Sequence, residues 1–390
     1  MNKEEIICPG ETIKELLETY NYTQNDLAKK LGIELKTTNQ ILNGEAPITM
    51  ETALKLEMIF NIDASFWVNR EFNYRRKLKQ FYEQEKIENE YEKIKNVYKE
   101  MIKRNLVIKS KSKYEIINNF KKFMEIVELN DLEKEYNKVF CRKANVQYFN
   151  YINLLVWIQI GLKNARNVEV KEYNKKLVYE NIDNIRNLTK LENQEEARKK
   201  LVKICNDCGI ILLFEKSLPN TAIYGIAKWL TPHKPFIQIS DRGKNLATFW
   251  FTFMHELGHI VEGRKKQFFV DLEYDINDKS ENNEDEIILN QVEELKADKF
   301  SNNNLIPERE YNEFLKSKEF SNDSIIAFAN KVSIAPYIVA GRIEHDLNEY
   351  NNKILNSFRI KNEFNWDIFN MLYNIIMNLL QQRWWMKIYI

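Results

Sequence analysis

The chain has 390 residues, enough for two or three domains and too many for one typical core. Apolar residues make up 44% and charged residues 29%, the balance of a soluble globular protein. The net charge of +1 excludes bulk basicity as a route to nucleic acid, so any DNA contact has to come from a local surface. Gly and Pro are scarce (10 and 7), which favours long helices. The opening MNKEEIICPGE lacks the apolar stretch and small-residue cleavage site of a secretory leader. The most apolar late stretch, Ile368 to Ile390, is broken by Asn370, Asn374, Asn378, Gln381, Gln382 and Arg383, poor material for a membrane span. The expectation is a cytoplasmic protein with no membrane partner, and four cysteines fit a reducing compartment.

In chain order, residues 10–70 read as short helices separated by tight turns. Thr23 is an N-cap candidate ahead of an apolar helical face that stops at Gly32. A second helix, about Glu34–Leu42, closes with Asn43-Gly44. Two short helices joined by a Gly-containing turn predict a helix-turn-helix. The second helix carries Lys36, Thr37, Thr38, Asn39 and Gln40, residue types that contact bases and phosphates. The wider segment, with its LNG, its ALKLE run and Phe66-Trp67, resembles the HigA-like branch of the Xre/Cro-C1 repressor family over about residues 8–75. That resemblance implies a five-helix domain that binds double-stranded operator DNA, often as a homodimer. The competing reading is a helical domain used for protein contacts, since Glu34 and Glu45 flank the reading helix.

Residues 75–137 contain no Pro or Gly and place apolar residues at helical spacing in a Lys/Glu-rich background, which predicts a helical linker or bundle. Asn150–Leu162 reads as a buried helix, and Glu195–Cys208 as another leading into a strand at Ile210–Phe214. Cys205 and Cys208 form a CxxC without a second ligand pair, so buried structural cysteines are preferred over a metal or redox site. Strands are predicted at Ala222–Trp229 and Pro235–Ser240, then a helix at Lys244–Glu262. A polar acidic loop (271–286), a helix over roughly 287–303 and further helices complete the chain. The fold class is multidomain: an all-α helix-turn-helix domain (1–75), a helical linker (76–139), an α+β domain (140–350) and a helical tail (351–390).

The helix at Lys244–Glu262 contains His255-Glu256-Leu-Gly-His259, an HExxH. Its i, i+4 spacing sets both imidazoles on one face, where they can share a zinc ion. Glu256, beside His255, can reach the water of such a site as general base. Gly258 costs about 1 kcal/mol against Ala in mid-helix, so close packing is the reason to keep it. The other face (Phe249, Phe253, Leu257, Ile260) supplies a core stripe without the histidines. A catalytic zinc site needs a third ligand. Only two other histidines exist, His233 in a Pro-flanked turn and His345 far downstream, so a carboxylate is expected. Glu294 and Asp298 are also i, i+4; Glu294 is preferred as ligand and Asp298 as the acceptor that orients an imidazole. Glu293 is the alternative ligand.

HELGH after FWFTF, then E-x-x-A-D-x-F and Leu305-Ile306-Pro307, resembles the ImmA/IrrE metallo-endopeptidases over about residues 200–345. The resemblance implies a minimal gluzincin-like fold, metal-assisted peptide hydrolysis, and a repressor or antitoxin as the protein substrate. It departs from the family at Lys296-Ala297 and Phe300-Ser301, neither of them a proposed ligand. An extended substrate could pair along Pro235–Ser240 if that strand is a free edge. Arg342 is weighed as an oxyanion ligand against the favoured role of a structural ion pair. The alternative function is a DNA-binding regulator whose peptidase-like domain is non-catalytic and serves interaction or sensing.

Overall fold

A computed structural model describes residues 5–133, 149–263, 268–272, 284–318 and 320–363. The chain divides into two compact units, Met1–Phe123 and Met124–Ile390. Cys141, most of the acidic loop and the tail aromatics Trp384, Trp385 and Tyr389 lie outside the described residues.

The first unit opens with α1 (Pro9–Thr19), α2 (Gln24–Leu31), α3 (Leu35–Leu42) and α4 (Met50–Phe60). Thr23 caps α2 in a reciprocal capping box with Asp26, and Gly32 ends it in the left-handed region at φ 66°. These two devices set the sharp α2–α3 turn. Ile13, Leu17, Leu27, Leu31, Ile41, Leu42, Leu56, Phe60 and Trp67 form the shared core. The fifth helix, α5 (Ala64–Lys103), does not end with that core but runs 40 residues. Nothing in its sequence breaks the backbone ladder, and pairs such as Lys103–Glu100 brace its surface. After a turn at Asn105 (φ 56°), α6 (Lys113–Met124) folds back on it. Lys121 meets Glu90 at 3.1 Å, and Val97, Met101, Ile117 and Phe120 are buried.

From residue 149 onward the second unit contains α7 (Tyr151–Arg166), whose residues from Ile152 to Gly161 are buried, then α8 (Lys175–Glu180), α9 (Ile182–Leu188) and α10 (Gln194–Asp207). Cys205 and Cys208 are free and buried at the end of α10, and burial pushes both thiols up, Cys208 to about 11. They are packing residues, not a reactive pair.

The sheet comprises β1 (Ile211–Phe214), β2 (Ile223–Thr231), β3 (Lys234–Ile239) and β4 (Phe268–Leu272), in the order β1-β3-β2-β4. β1 runs parallel to β3, and the other two pairings are antiparallel. The condition for substrate pairing along Pro235–Ser240, a free edge, is not met: both sides of β3 are already hydrogen-bonded, to β1 and β2. The edges among the described strands are β1 and β4, and β4 is an element the sequence did not announce.

α11 (Leu246–Glu262) packs on β2 and β3, and α12 (Glu284–Leu305) packs on α11. Among the described residues, shorter helices follow: α13 (Glu308–Lys316), α14 (Asn322–Lys331), α15 (Pro336–Leu347) and α16 (Lys353–Ser357). The chain then passes back beside the start of α11, where Leu246 donates to the Ile360 carbonyl. α14 and α15 cross at 112°, the shape of a second helix-turn-helix. However, Tyr337 to Ala340 and Arg342 to Glu344 of α15 are buried, so it presents no reading face. Among the described residues no single helix is long and apolar enough to cross a membrane.

Candidate metal centre

Asn245 starts α11 by accepting from the Thr248 amide, and the helix then buries nearly its whole length. Phe249, Phe253, Leu257 and Ile260 enter the main core of the unit. That leaves His255, Glu256 and His259 on the face turned to β2 and α12. Gly258 permits the approach of α12: a Cβ there would stand 3.0 Å from Ala297 Cα and 3.1 Å from Phe300 Cβ.

Across this contact the side chains converge. His255 Nε2 and His259 Nε2 are 3.0 Å apart. Glu294 Oε2 lies 3.3 Å from the first and Oε1 3.6 Å from the second. One donor atom from each residue falls within 4.8 Å of the others. Tetrahedral zinc with bonds of about 2.0–2.2 Å needs ligand atoms roughly 3.3 Å apart, so these spacings fit the ion. The donor set also fits in chemistry, two neutral imidazoles and one carboxylate. Burial pushes the Glu294 carboxyl up, but the two imidazoles more than reverse this and hold it at about 2. Burial lowers His259 below its ordinary value, favouring the neutral form that a metal requires.

Asp298 Oδ1 lies 2.9 Å from His255 Nδ1. A proton held on Nδ1 leaves Nε2 as a lone pair directed at the centre. Glu293, the alternative ligand, is buried elsewhere and accepts from Lys296 at 3.1 Å. Glu256 is wholly buried, while His255 and Glu294 keep some exposure, so the centre opens on their side. Of the other histidines, exposed His233 pairs with Glu172, and His345 is held to Asp346 and raised by it. Arg342 donates to the carbonyls of Asn302 (2.9 Å) and Ile306 (3.1 Å), closing the last turn of α12. With its guanidinium also 4.1 Å over Tyr311, its role is structural, and the oxyanion role falls.

On α3 of the first unit, Lys36 is exposed, and Thr37, Asn39 and Gln40 are half-buried. Thr38 corrects its expectation: it is fully buried and its hydroxyl donates to the Glu34 carbonyl, so it cannot touch a base.

A helix-turn-helix family model matches residues 13–67, and one for the IrrE N-terminal-like domain matches residues 207–329. Virulence-associated protein I of Dichelobacter nodosus is 34% identical over 78 residues, 20% of this chain and 72% of that one. The HTH-type transcriptional regulator YddM of Escherichia coli is 31% identical over 61 residues, 16% of this chain and 65% of that one. An addiction module antidote protein of a HigA family from Coxiella burnetii is 37% identical, covering 21% of this chain and 91% of that structure, with a TM-score of 0.20. The first three curated relatives are spanned over only 16%, 65% and 57% of their own lengths. The chain thus belongs to the Xre-like helix-turn-helix family through its N-terminal residues, and its residues 207–329 are similar to the IrrE N-terminal-like domain.

Proposed function

We propose that the protein is a DNA-binding transcriptional regulator whose second unit is a zinc-dependent endopeptidase acting on a repressor or antitoxin. The observation that carries the reading is the convergence of His255, His259 and Glu294 on one point, with Glu256 buried on the same helix face. His255 and His259 would hold the ion through Nε2 and Glu294 through a carboxylate oxygen, while Asp298 fixes the His255 tautomer. Bound zinc supplies Lewis-acid polarisation and an acidified water. Glu256 takes the proton from the attacking water and returns one to the leaving amine. The substrate strand pairs along β4, an edge among the described strands whose Asp271 stands opposite Gly225 of β2, through backbone hydrogen bonds.

On the DNA side, Lys36, Thr37, Asn39 and Gln40 of α3 meet the major groove of an operator, with a second copy of the domain on the other half-site. The likeness of this domain to HTH-type transcriptional regulators of Escherichia coli and Haemophilus influenzae supports this part.

The deciding experiment measures zinc in purified wild type and Glu256→Gln, then cleavage of whatever repressor or antitoxin the neighbouring genes encode. Stoichiometric zinc in both proteins and cleavage by wild type alone is the expected result. Zinc without cleavage favours the interaction-module alternative, and absence of zinc refutes the metal centre itself.

A further inference from the structure

We infer that Gly225 is a positioning residue for Glu256: the bare backbone of β2 presses the carboxylate into its working place. The inference rests on the reading of Glu256 as proton acceptor. An isolated glycine weakens a strand and gives it no side chain to pack, so its presence asks for a close approach. That approach is on the page. A Cβ at Gly225 would stand 2.7 Å from Glu256 Oε1, 2.9 Å from its Cγ and 3.0 Å from Thr252 Cγ2. The requirement is for space, not for an unusual backbone, since Gly225 has no positive φ.

The strand cannot retreat to make room. Gly225 is opposite Ile239 on β3 and Asp271 on β4, so its backbone is held between two neighbours. The adjoining residue, Tyr224, is passed over by the β4 register, which shifts between Ile223 and Gly225 and brings this stretch out of the regular pleat. Glu256, at the free end of a flexible side chain, is the partner that must give. Ordinary contact begins at 3.4 Å, so a methyl group would drive Oε1 back by at least 0.7 Å. A displacement near 1 Å in a catalytic group can cost about a hundredfold in rate. The three metal ligands are not among the atoms that the methyl group meets first, so metal affinity and carboxylate placement separate.

The test uses the full chain loaded with Co2+, comparing wild type, Gly225→Ala and Glu256→Gln. Cobalt affinity is read by chelator competition, and the pH midpoint of the visible cobalt bands reports proton transfer beside the ion. Gly225→Ala is expected to keep its cobalt affinity, well inside the about tenfold loss that removal of an outer partner causes. Its pH midpoint is expected to move in the direction set by Glu256→Gln and cover at least half that distance. A midpoint unmoved in Gly225→Ala but moved in Glu256→Gln overturns the positioning role and leaves the proton acceptor standing. Loss of cobalt affinity in Gly225→Ala also overturns it, by making the glycine a packing residue of the metal site. If Glu256→Gln itself leaves the midpoint in place, the reading of Glu256 fails and this inference with it. Should Gly225→Ala not fold, the pair Gly225→Ala with Thr252→Ala, which removes the Cγ2 contact, carries the same comparison.

Discussion

Replacing Gly258 with alanine sets two effects against each other inside the metal helix. In isolation the change favours the helix by roughly 0.8–1 kcal/mol, because glycine loses more backbone freedom than alanine on folding. In place, the new methyl group would meet Ala297 Cα at 3.0 Å, Phe300 Cβ at 3.1 Å and the Ala297 carbonyl oxygen at 3.2 Å. Two of these atoms are backbone, so the strain cannot be relieved by a rotamer and α12 has to move out by a few tenths of an ångström. Overpacking of this kind costs about 1–3 kcal/mol. The packing term wins by about 1 kcal/mol, a fall of roughly 2–4 °C in Tm for a unit of this size. The geometry adds a second consequence. Gly258 sits between His255 and His259, and Ala297 between Glu294 and Asp298, so separating the helices at this contact separates the ligands. Zinc affinity should fall about tenfold, equivalent to 1.4 kcal/mol. Thermal unfolding with and without zinc, with chelator competition, measures both. A raised Tm with unchanged affinity would falsify the claim that this glycine sets the ligand spacing.

Further outcomes follow for the metal centre and for α3. Asp298→Asn is expected to weaken zinc binding by about tenfold, the low end for an outer partner because this carboxylate is largely exposed; an unchanged affinity removes it from the site. Glu294→Gln is expected to abolish tight zinc binding, whereas Glu293→Gln should lower Tm and spare the metal, and the reverse result exchanges their roles. For DNA, Lys36→Ala should weaken operator binding and reduce the magnitude of the salt slope by about 1. Thr38→Val, by contrast, should leave operator affinity as it is, so a large loss there in a folded protein contradicts its burial.

What could be read from sequence divides along a physical line. The imidazole pair was legible because its chemistry and its i, i+4 spacing are both local, and the same rule found Glu294 and Asp298 on a separate helix. Thr38 was legible too, but from spacing rather than residue type. It lies three and four positions before the buried Ile41 and Leu42, which puts it on the core face of α3. Reading it as a base-contacting threonine gave residue type priority over the helical period. The sheet edge was not legible at all. Lys234–Ile239 is a convincing strand from its own residues, but its place in the sheet interior depends on β1, which pairs with it at a separation of 25 residues (Ile211 opposite Phe236). Gly225 falls between these cases. Its position inside a strand signals a close approach, yet only the tertiary structure shows that the approaching group is Glu256. A motif can therefore name the reacting groups while leaving unnamed the backbone that aims them. In this fold that aim comes from β2, 30 residues before the motif begins.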